Sequence, residues 1–477
     1  MQLINIIPRR LLSLINYSIP SYISSLLSII FFPVIALKLG VINLGRYELY
    51  LTFIAALTFI FHIGWSSSYT RFLGEKNQLK ITSTLFISRI FIYLVSVFLF
   101  FLFKNLITNL FEFNVYEHIS LLVFFIFITT DLGQFFKIYC RVNSYSNKYA
   151  SLEIIELISL YITFGIFIIS NEVNSQNLLI AKSISCFITL LYGNLLFPEL
   201  LNFKCFDWKI FKECLKFGSP LIFAGIGLFA IEYTDKLMLR SLIGSSSLAL
   251  ASIGYYAFSE RIASIFNILS SAFRITWMPF VLNTFKKKES IKFYKNILNS
   301  YIFGFTSVSI FISLTCFYLI PILFTDYLLS LKLIPIIAST LMIYYIGDYF
   351  PIGIDINKKT KYRAFAALIA ILSNLILNYF FIKQFGVIGA GIASYISVFI
   401  FSYIQLFYSN HLMKVPYDFH FLIFCSLIGP LQAIMFNILN IDFLLIIDII
   451  IFISLFYYVK KDLSALYSFF IKTNEIN

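Results

Sequence analysis

Charged residues are scarce in this sequence: they make up 12% of its 477 residues, about half of the share found in soluble domains. Several enzyme signatures are also missing, namely a G-x-x-x-x-G-K-[ST] phosphate loop, an H-E-x-x-H zinc motif and a G-x-S-x-G nucleophile turn. Six cysteines show no C-x-x-C or other metal spacing, and four histidines are dispersed along the chain. We therefore predict no disulfide framework, no metal site and no cofactor.

Hydrophobic residues, by contrast, make up 60% of the chain and give a mean hydropathy of +0.89. This apolar surface exceeds what soluble cores can bury, so the lipid bilayer must act as the solvent. In hydrocarbon the backbone must satisfy its own hydrogen bonds, which only helices and closed barrels achieve. The apolar runs are roughly 18–24 residues long, which fits membrane helices rather than barrel strands. We predict an all-α polytopic membrane protein with about fourteen transmembrane helices.

The basic residues orient these spans. The predicted spans are 17–39, 48–70, 84–103, 118–139, 150–170, 178–198, 217–240, 250–274, 297–320, 331–354, 364–382, 387–409, 419–439 and 442–459. On this map 25 lysines and arginines, including Lys137 and Arg363, fall on the side that holds both termini, and five fall on the other. Because positive loops stay in the cytoplasm, we expect both termini there, with Arg9 and Arg10 ahead of an uncleaved first helix. The net charge of +13 is then topogenic, and no nucleic-acid partner is predicted.

Two halves of the chain carry related motifs. Tyr17-Ser-Ile-Pro20 and Phe217-Gly-Ser-Pro220 each enter a span, and about one helical hairpin later each half has a Gly followed two residues on by a Tyr. Repeats of this kind build transporters with the substrate site between the halves. We predict two pseudo-symmetric six-helix lobes, at 1–200 and 217–410, joined by a cytoplasmic linker at 201–216. A C-terminal helix pair with a cytoplasmic tail follows at 411–477. The linker pattern also predicts an amphipathic helix on the membrane surface.

Charges inside the predicted spans are the main functional signal. An Asp, Lys or Arg costs roughly 2.5–3.5 kcal/mol at the centre of a membrane helix, so such residues usually face a bundle interior or a wet cavity. They are Arg89, Asp131, Glu153, Glu156, Lys182, Glu232, Asp235, Lys236, Arg240, Glu260, Arg261, Arg274, Asp348 and Asp355.

Two interpretations of these charges remain open. Pairs such as Glu232 and Lys236, four residues apart, could neutralise each other. Alternatively, the cations form a cavity for an anionic head group, while a carboxylate exchanges protons or sodium ions. Arg89 and Lys182 favour the second interpretation, because neither has an acid one turn away and because the arginine fork suits phosphate.

Several short motifs, in matching order over about residues 10–460, resemble those of known exporters. They are Gly45-Arg-Tyr47 followed by Gly64 and Arg71-Phe72, Phe217-Gly-Ser-Pro220 with Asp235-Lys-Leu-Met-Leu239, Tyr255-Tyr-Ala-Phe-Ser-Glu-Arg261 followed by Trp277-Met-Pro-Phe280, and Asn374-Leu-Ile-Leu-Asn378 through Gly386-Val-Ile-Gly-Ala-Gly-Ile-Ala-Ser394. Together they resemble the Wzx-type O-antigen flippases of the multidrug/oligosaccharidyl-lipid/polysaccharide exporter superfamily. In the last motif, Gly386, Ala390 and Ser394 are spaced four apart, which predicts close helix packing.

The resemblance implies two lobes around a cationic cavity in the bacterial inner (cytoplasmic) membrane, with alternating access driven by an ion gradient and no enzyme activity. The implied substrate is an undecaprenyl-pyrophosphate-linked oligosaccharide, moved from the cytoplasmic to the periplasmic leaflet. The implied partners are this lipid, a proton or sodium ion, the lipid bilayer and the polysaccharide polymerase machinery.

Site residues follow in part from the same resemblance. We expect substrate contacts from Arg89, Lys182, Lys236 and Arg261. We expect ion coupling through Glu232, Asp235 and Asp131. Asp235 and Lys236 match a familial acid followed by a base, whereas the other assignments depend on the cost of burying a charge.

Two other functions remain open. A cation-coupled multidrug exporter of the same superfamily would favour an acidic cavity, yet the predicted intramembrane acids and bases are nearly balanced. A membrane enzyme, such as a polysaccharide polymerase or an O-antigen ligase, would have a similar number of helices. Such enzymes typically carry a large periplasmic loop, whereas the external loops predicted for this chain are all short.

Overall fold

A computed structural model describes residues 9–61, 64–72, 78–111, 118–201, 203–219, 221–286, 288–438 and 441–474. The regular structure of these residues is helical throughout, which confirms the all-α prediction. Contacts group the chain into two compact units, Met1–Arg240 and Ser241–Asn477. The lobe boundaries predicted near 200, 217 and 410 stay predictions, and Pro220 of the proposed repeat lies outside the described residues.

Nine described α-helices begin in the first unit. They are α1 (Arg9–Phe61), α2 (Trp65–Phe72), α3 (Gln78–Leu102), α4 (Lys104–Phe111), α5 (Ile119–Val142), α6 (Ser146–Ile169), α7 (Ser175–Leu196), α8 (Trp208–Gly218) and α9 (Leu221–Leu242). α6 packs against α1 and α7, and α5 packs against α7.

Eight described α-helices form the second unit. They are α10 (Ser246–Ala263), α11 (Ile265–Thr284), α12 (Lys288–Leu323), α13 (Ser330–Tyr349), α14 (Ile352–Ile356), α15 (Lys361–Leu412), α16 (Phe419–Ile438) and α17 (Ile441–Asn474). α13 lies at the centre of this unit, because it packs against α10, α12, α15 and α16.

The helix count agrees with the predicted number of spans. Among the described residues, eleven helical stretches are long and apolar enough to cross a membrane. Two of them, α1 and α15, are each a pair of helices joined at a break, and the 22 residues of α9 are long enough for a further span. Counting each half of the broken helices and α9 gives fourteen, so the chain is a multi-pass membrane protein.

The predicted start of the second span at residue 48 was wrong. Helix α1 continues through the expected connection with one non-helical residue, Gly40, whose φ of 69° and ψ of 167° lie in a region that essentially only glycine occupies. Because a single glycine turns the chain, the second helix resumes at Val41, and Glu48 lies about two turns inside it. Gly386 makes the corresponding break in α15, with φ 59° and ψ −134°.

Helix α8 forms within the segment predicted to be amphipathic. The Asp207 carboxylate caps it by accepting hydrogen bonds from the backbone N–H groups of Lys209 and Ile210, at 2.8 and 3.3 Å. Cys214, like Ile210, is buried on the face toward α2 and α3, whereas Trp208 is 60% exposed. The structure thus confirms an amphipathic helix, and its location on a membrane surface stays a prediction.

Tight helix contacts in the second unit depend on small residues. A Cβ added at Gly347 of α13 would lie 2.2 Å from the Ser402 hydroxyl of α15, and one at Gly429 would lie 2.2 Å from the Pro335 carbonyl oxygen. The small-residue stripe of α15 is also packed, since Ala390 is fully buried. The prediction of close packing is therefore confirmed at Ala390 and wrong at Gly386, which is the break in α15 and has nothing within 4 Å of an added Cβ.

Candidate functional site

Arg89 and Asp131, two of the predicted site residues, form an ion pair between α3 and α5. The Arg89 Nε donates to Asp131 Oδ2 at 2.8 Å, and the hydroxyl of Tyr93 donates to the same oxygen at 2.9 Å. Arg89 is 1% exposed and Asp131 5%. No acid lies one turn from Arg89 on its own helix, and the structure places one beside it from another helix.

The remaining contacts of the Arg89 guanidinium are weaker. Its carbon lies 4.4 Å from the centroid of the Phe135 ring, a distance typical of a cation–π contact. Nη1 reaches the Leu85 carbonyl oxygen at 3.4 Å, and Nη2 is buried without a hydrogen-bond partner. A buried N–H donor without an acceptor is costly, so this guanidinium retains capacity to bind a further oxygen.

A second charge cluster joins α5 to α6. Lys137 Nζ lies 2.5 Å from Glu156 Oε2 and 3.1 Å from Glu153 Oε1. Counting Lys137 among the cytoplasmic loop charges was wrong, because it lies inside α5 with its side chain 3% exposed. One ammonium group faces two carboxylates, so the cluster carries a formal charge of −1 when all three groups are ionised.

Lys236 of α9 pairs with a residue that the sequence analysis did not select. Its Nζ lies 3.0 Å from Glu48 Oε2, and both side chains are less than a tenth exposed. Lys236 is thus paired with an acid from another helix, whereas Glu232, the acid one turn away on α9, is exposed. The interpretation that Glu232 and Lys236 neutralise each other stays open. Glu48 was missed because the predicted second span began at residue 48. The available signal was Gly40, because a turn there places Glu48 inside the helix.

The other predicted site residues lie on separate helices. Asp235 is buried on α9, beside Lys236 in sequence. Lys182 is half-buried on α7, and Arg261 is half-buried in the last turn of α10. Each has interactions with its surroundings, and their roles in binding or coupling stay predictions.

Comparison with known proteins places the chain in a family. Residues 13–285 match the family model described as polysaccharide biosynthesis protein. The chain belongs to this polysaccharide biosynthesis family.

Solved structures give the fold. The lipid II flippase MurJ in its inward closed conformation is 19% identical, with a TM-score of 0.63 over 95% of this chain and 99% of that one. A variant of the Vibrio cholerae MATE transporter VcmN is 14% identical, with a TM-score of 0.58 over 84% of this chain and 96% of that one. The superfamily resemblance predicted from the sequence motifs is confirmed by the family match together with these folds.

A curated relative matches part of the chain. The probable multidrug resistance protein YpnP of Bacillus subtilis (strain 168) is 23% identical over 229 residues, which are 45% of this chain and 50% of that protein. The match thus spans about half the length of the relative.

In this member of the polysaccharide biosynthesis family, the second unit has its own ionic cluster at the ends of its helices. Arg363 in the first turn of α15 donates to both carboxylate oxygens of Asp355, at 3.0 and 2.8 Å, and to Gln405 Oε1 at 2.9 Å. Its Nη1 also lies 3.5 Å from a carboxylate oxygen of Asp348. Arg363, which the sequence map counted as a loop charge, thus joins α13, α14 and both halves of α15.

Neutral amides supply polarity deeper in the second unit. Asn378 Nδ2 donates to Asn374 Oδ1 at 2.9 Å, and Asn374 Nδ2 contacts Ser394 Oγ at 3.3 Å. All three residues are buried and lie in the motif that resembles the exporters. Charge-based reasoning overlooked them as a polar network, although their sequence positions were noted.

Proposed function

We propose that this chain is a flippase that translocates undecaprenyl-pyrophosphate-linked oligosaccharide repeat units from the cytoplasmic to the periplasmic leaflet. The substrate belongs to O-antigen or a related surface polysaccharide. Transport proceeds by alternating access in the bacterial inner membrane, with both termini in the cytoplasm, and is coupled to a proton or sodium gradient. The polysaccharide polymerase machinery is the proposed downstream partner.

The observation that carries this proposal is the family match together with the fold likeness to a lipid II flippase over 95% of the chain. Lipid II is a lipid-linked sugar pyrophosphate, which is the same class of substrate. The neighbours with known structures are transporters, so the proposal includes no covalent chemistry and disfavours the polymerase or ligase alternative.

Arg89 is the proposed contact for the pyrophosphate, because its buried Nη2 has no hydrogen-bond partner. A guanidinium can hold two phosphate oxygens at once, which a lysine ammonium cannot do with the same geometry. Lys236, Lys182 and Arg261 are the further proposed head-group contacts. Asp131, which forms an ion pair with Arg89, is the proposed link between ion binding and substrate binding. Protonating Asp131 would release Arg89 to bind the anionic substrate.

Complementation tests this function. The chain is expressed in a strain that lacks its own O-antigen flippase, and the lipopolysaccharide ladder is read on a gel. We expect the wild-type chain to restore the ladder, Arg89→Gln and Lys236→Gln to reduce it at least tenfold, and Lys104→Gln to leave it unchanged. Lys104 is an exposed residue of α4 and serves as the matched control. A ladder that survives loss of all four cations would contradict the proposed cavity.

A second candidate function, export of cationic drugs, is favoured by the partial match to a probable multidrug resistance protein. It predicts that expression raises drug resistance in a strain stripped of its own exporters. It also predicts that neutralising Asp235 or Glu232 abolishes that resistance, while neutralising Arg89 has little effect. The opposite ranking of acid and base variants distinguishes the two functions.

A further inference from the structure

The C-terminal helices α16 and α17 contain a buried polar pair that the proposed transport mechanism does not use. Gln432 of α16 donates from Nε2 to Oδ2 of Asp448 on α17 at 2.9 Å. Both residues are 1% exposed. A carboxyl group this deep in a membrane helix pair is costly if it is charged and lacks a cation.

The pair lacks one hydrogen-bond donor. Asp448 Oδ1 and Gln432 Oε1 are both buried without a hydrogen-bond partner. An ionised carboxylate can only accept, so neither oxygen can satisfy the other. Exchanging the positions of the Gln432 amide nitrogen and oxygen would place an oxygen against the Asp448 carboxylate. The pair would then still lack a hydrogen-bond donor.

The neighbouring helix α12 carries two more polar groups that lack hydrogen-bond partners. The hydroxyls of Ser309 and Ser313 are buried without hydrogen-bond partners. They lie near the level of the pair: Phe317 of α12 stacks on Phe436 one turn above Gln432, with ring centroids 4.6 Å apart, and Phe303 contacts Phe452 one turn beyond Asp448 at 5.7 Å.

Asp448 forms no ion pair with a cation among the described residues. On α13, which packs against α16, the one base is Lys332 in the first turn, and Asp348 lies at the other end of that helix. On α12 the charged residues end at Lys295, and on α16 the only ionisable groups are His420 and the thiol of Cys425. On α17 the nearest base is Lys460, twelve residues or about 18 Å along the helix.

We propose that Gln432 and Asp448 form a proton-binding site, in which a proton on Asp448 donates to the Gln432 side-chain oxygen and closes an acid–amide pair between α16 and α17. The proton provides the missing donor, satisfies both partnerless oxygens and removes the buried charge. This site goes beyond the proposed transport of lipid-linked sugars and does not depend on it, because it is a property of the purified protein.

Infrared spectroscopy of the purified full chain tests the site at mildly acidic pH, about 5, where a solvated aspartate is ionised. We expect a carbonyl band of a protonated carboxylic acid in the wild type that is lost in Asp448→Asn. The asparagine preserves both hydrogen bonds with Gln432, so this variant should fold. Gln432→Leu should retain the acid but move its band to higher frequency, because the carbonyl then loses its hydrogen bond.

Asp418 provides a matched control on the same helix pair. It precedes α16 outside the span, and its carboxylate accepts hydrogen bonds from the Tyr458 hydroxyl and the Phe421 backbone N–H. Partial burial acts to raise the pKa of Asp418, but these hydrogen bonds outweigh it and hold the pKa below its usual value. Asp418→Asn should therefore remove no carboxylic-acid band at the same pH.

Thermal unfolding against pH gives a second readout. A proton bound by the folded but not the unfolded chain stabilises the fold at low pH, and this stability is lost as pH rises, by up to tenfold in the folding equilibrium per pH unit. Wild type should show this loss relative to Asp448→Asn as the pH rises above about 4, where an aspartate of the unfolded chain ionises. The loss should end at the pH where Asp448 ionises in the folded chain. The proposal is overturned if Asp448→Asn removes no acid band, or if added sodium ions stabilise the wild type through Asp448 while its carboxylate is ionised.

Discussion

The two units of the chain handle buried polarity in different ways. The first unit buries full charges and pairs them between helices, as in Arg89 with Asp131 and Lys236 with Glu48. Within its helices the second unit uses mainly amides and close glycine contacts, and its arginine cluster at Arg363 lies at helix ends. A buried charge that loses its partner raises the free energy of the folded chain by several kcal/mol. A buried amide or a glycine contact carries no net charge, so it has no cost of this kind. Charge rearrangement is therefore expected to centre on the first unit.

The largest expected effect comes from breaking the Arg89 pair. Asp131→Leu should lower the free energy of unfolding by about 3–5 kcal/mol, because it leaves a buried guanidinium without its carboxylate. The double variant Arg89→Leu with Asp131→Leu should recover most of this loss. Denaturant unfolding in detergent micelles measures both values. A double variant as unstable as the single one would show that the pair itself does not set the cost.

The contribution of Glu48 to stability can be compared with that of Glu232, which lies one turn from Lys236 on α9. Glu48→Gln should cost about 1.5–3 kcal/mol, the usual value of a hydrogen bond to a charged group. Glu232→Gln is the matched control and should change stability by less than about 0.5 kcal/mol, because Glu232 is exposed. Equal losses of stability for the two variants in the same unfolding experiment would mean that Lys236 forms ion pairs with both Glu48 and Glu232.

Packing in the second unit should respond to added volume rather than to charge. Gly347→Ala places a Cβ 2.2 Å from the Ser402 hydroxyl and should cost about 1–3 kcal/mol. Gly304→Ala in α12 has nothing within 4 Å of the new Cβ and should be neutral or stabilising. Thermal unfolding followed by size-exclusion chromatography ranks the two, and a destabilised Gly304→Ala would contradict this account.

The smallest expected effect is at the break in α15. Gly386→Ala meets no neighbour, yet its φ of 59° with ψ of −134° is strained for alanine, so it should cost about 1 kcal/mol, the lower end of the usual range for such strain. Gly165→Ala in α6 also meets no neighbour and has ordinary helical geometry, so it controls for the change in side chain. A loss shared by both variants would point away from the backbone break.

Sequence patterns predicted the helices far better than the contacts between them. Hydropathy located the long apolar helices but not all of their ends. Gly40 alone replaced an expected loop, α12 begins at Lys288 rather than at 297, and α17 ends at Asn474 rather than at 459. Arg89 and Asp131 were both selected because each is costly in a membrane helix. Glu48 was missed and Lys137 was assigned to a loop, because a residue near the end of an apolar run gives no sign of how deeply it is buried.

The sequence by itself determined the membrane class, the number of helices and the candidate intramembrane charges, since these depend on local composition and on short periodic patterns. Only the tertiary structure decided which charges meet. Arg89 and Asp131 are 42 positions apart, and Lys236 and Glu48 are 188 positions apart. Pairing over such separations is set by how helices pack, which no local pattern contains. The same holds for Gln432 and Asp448, which each look ordinary in the sequence and become unusual only when buried against each other.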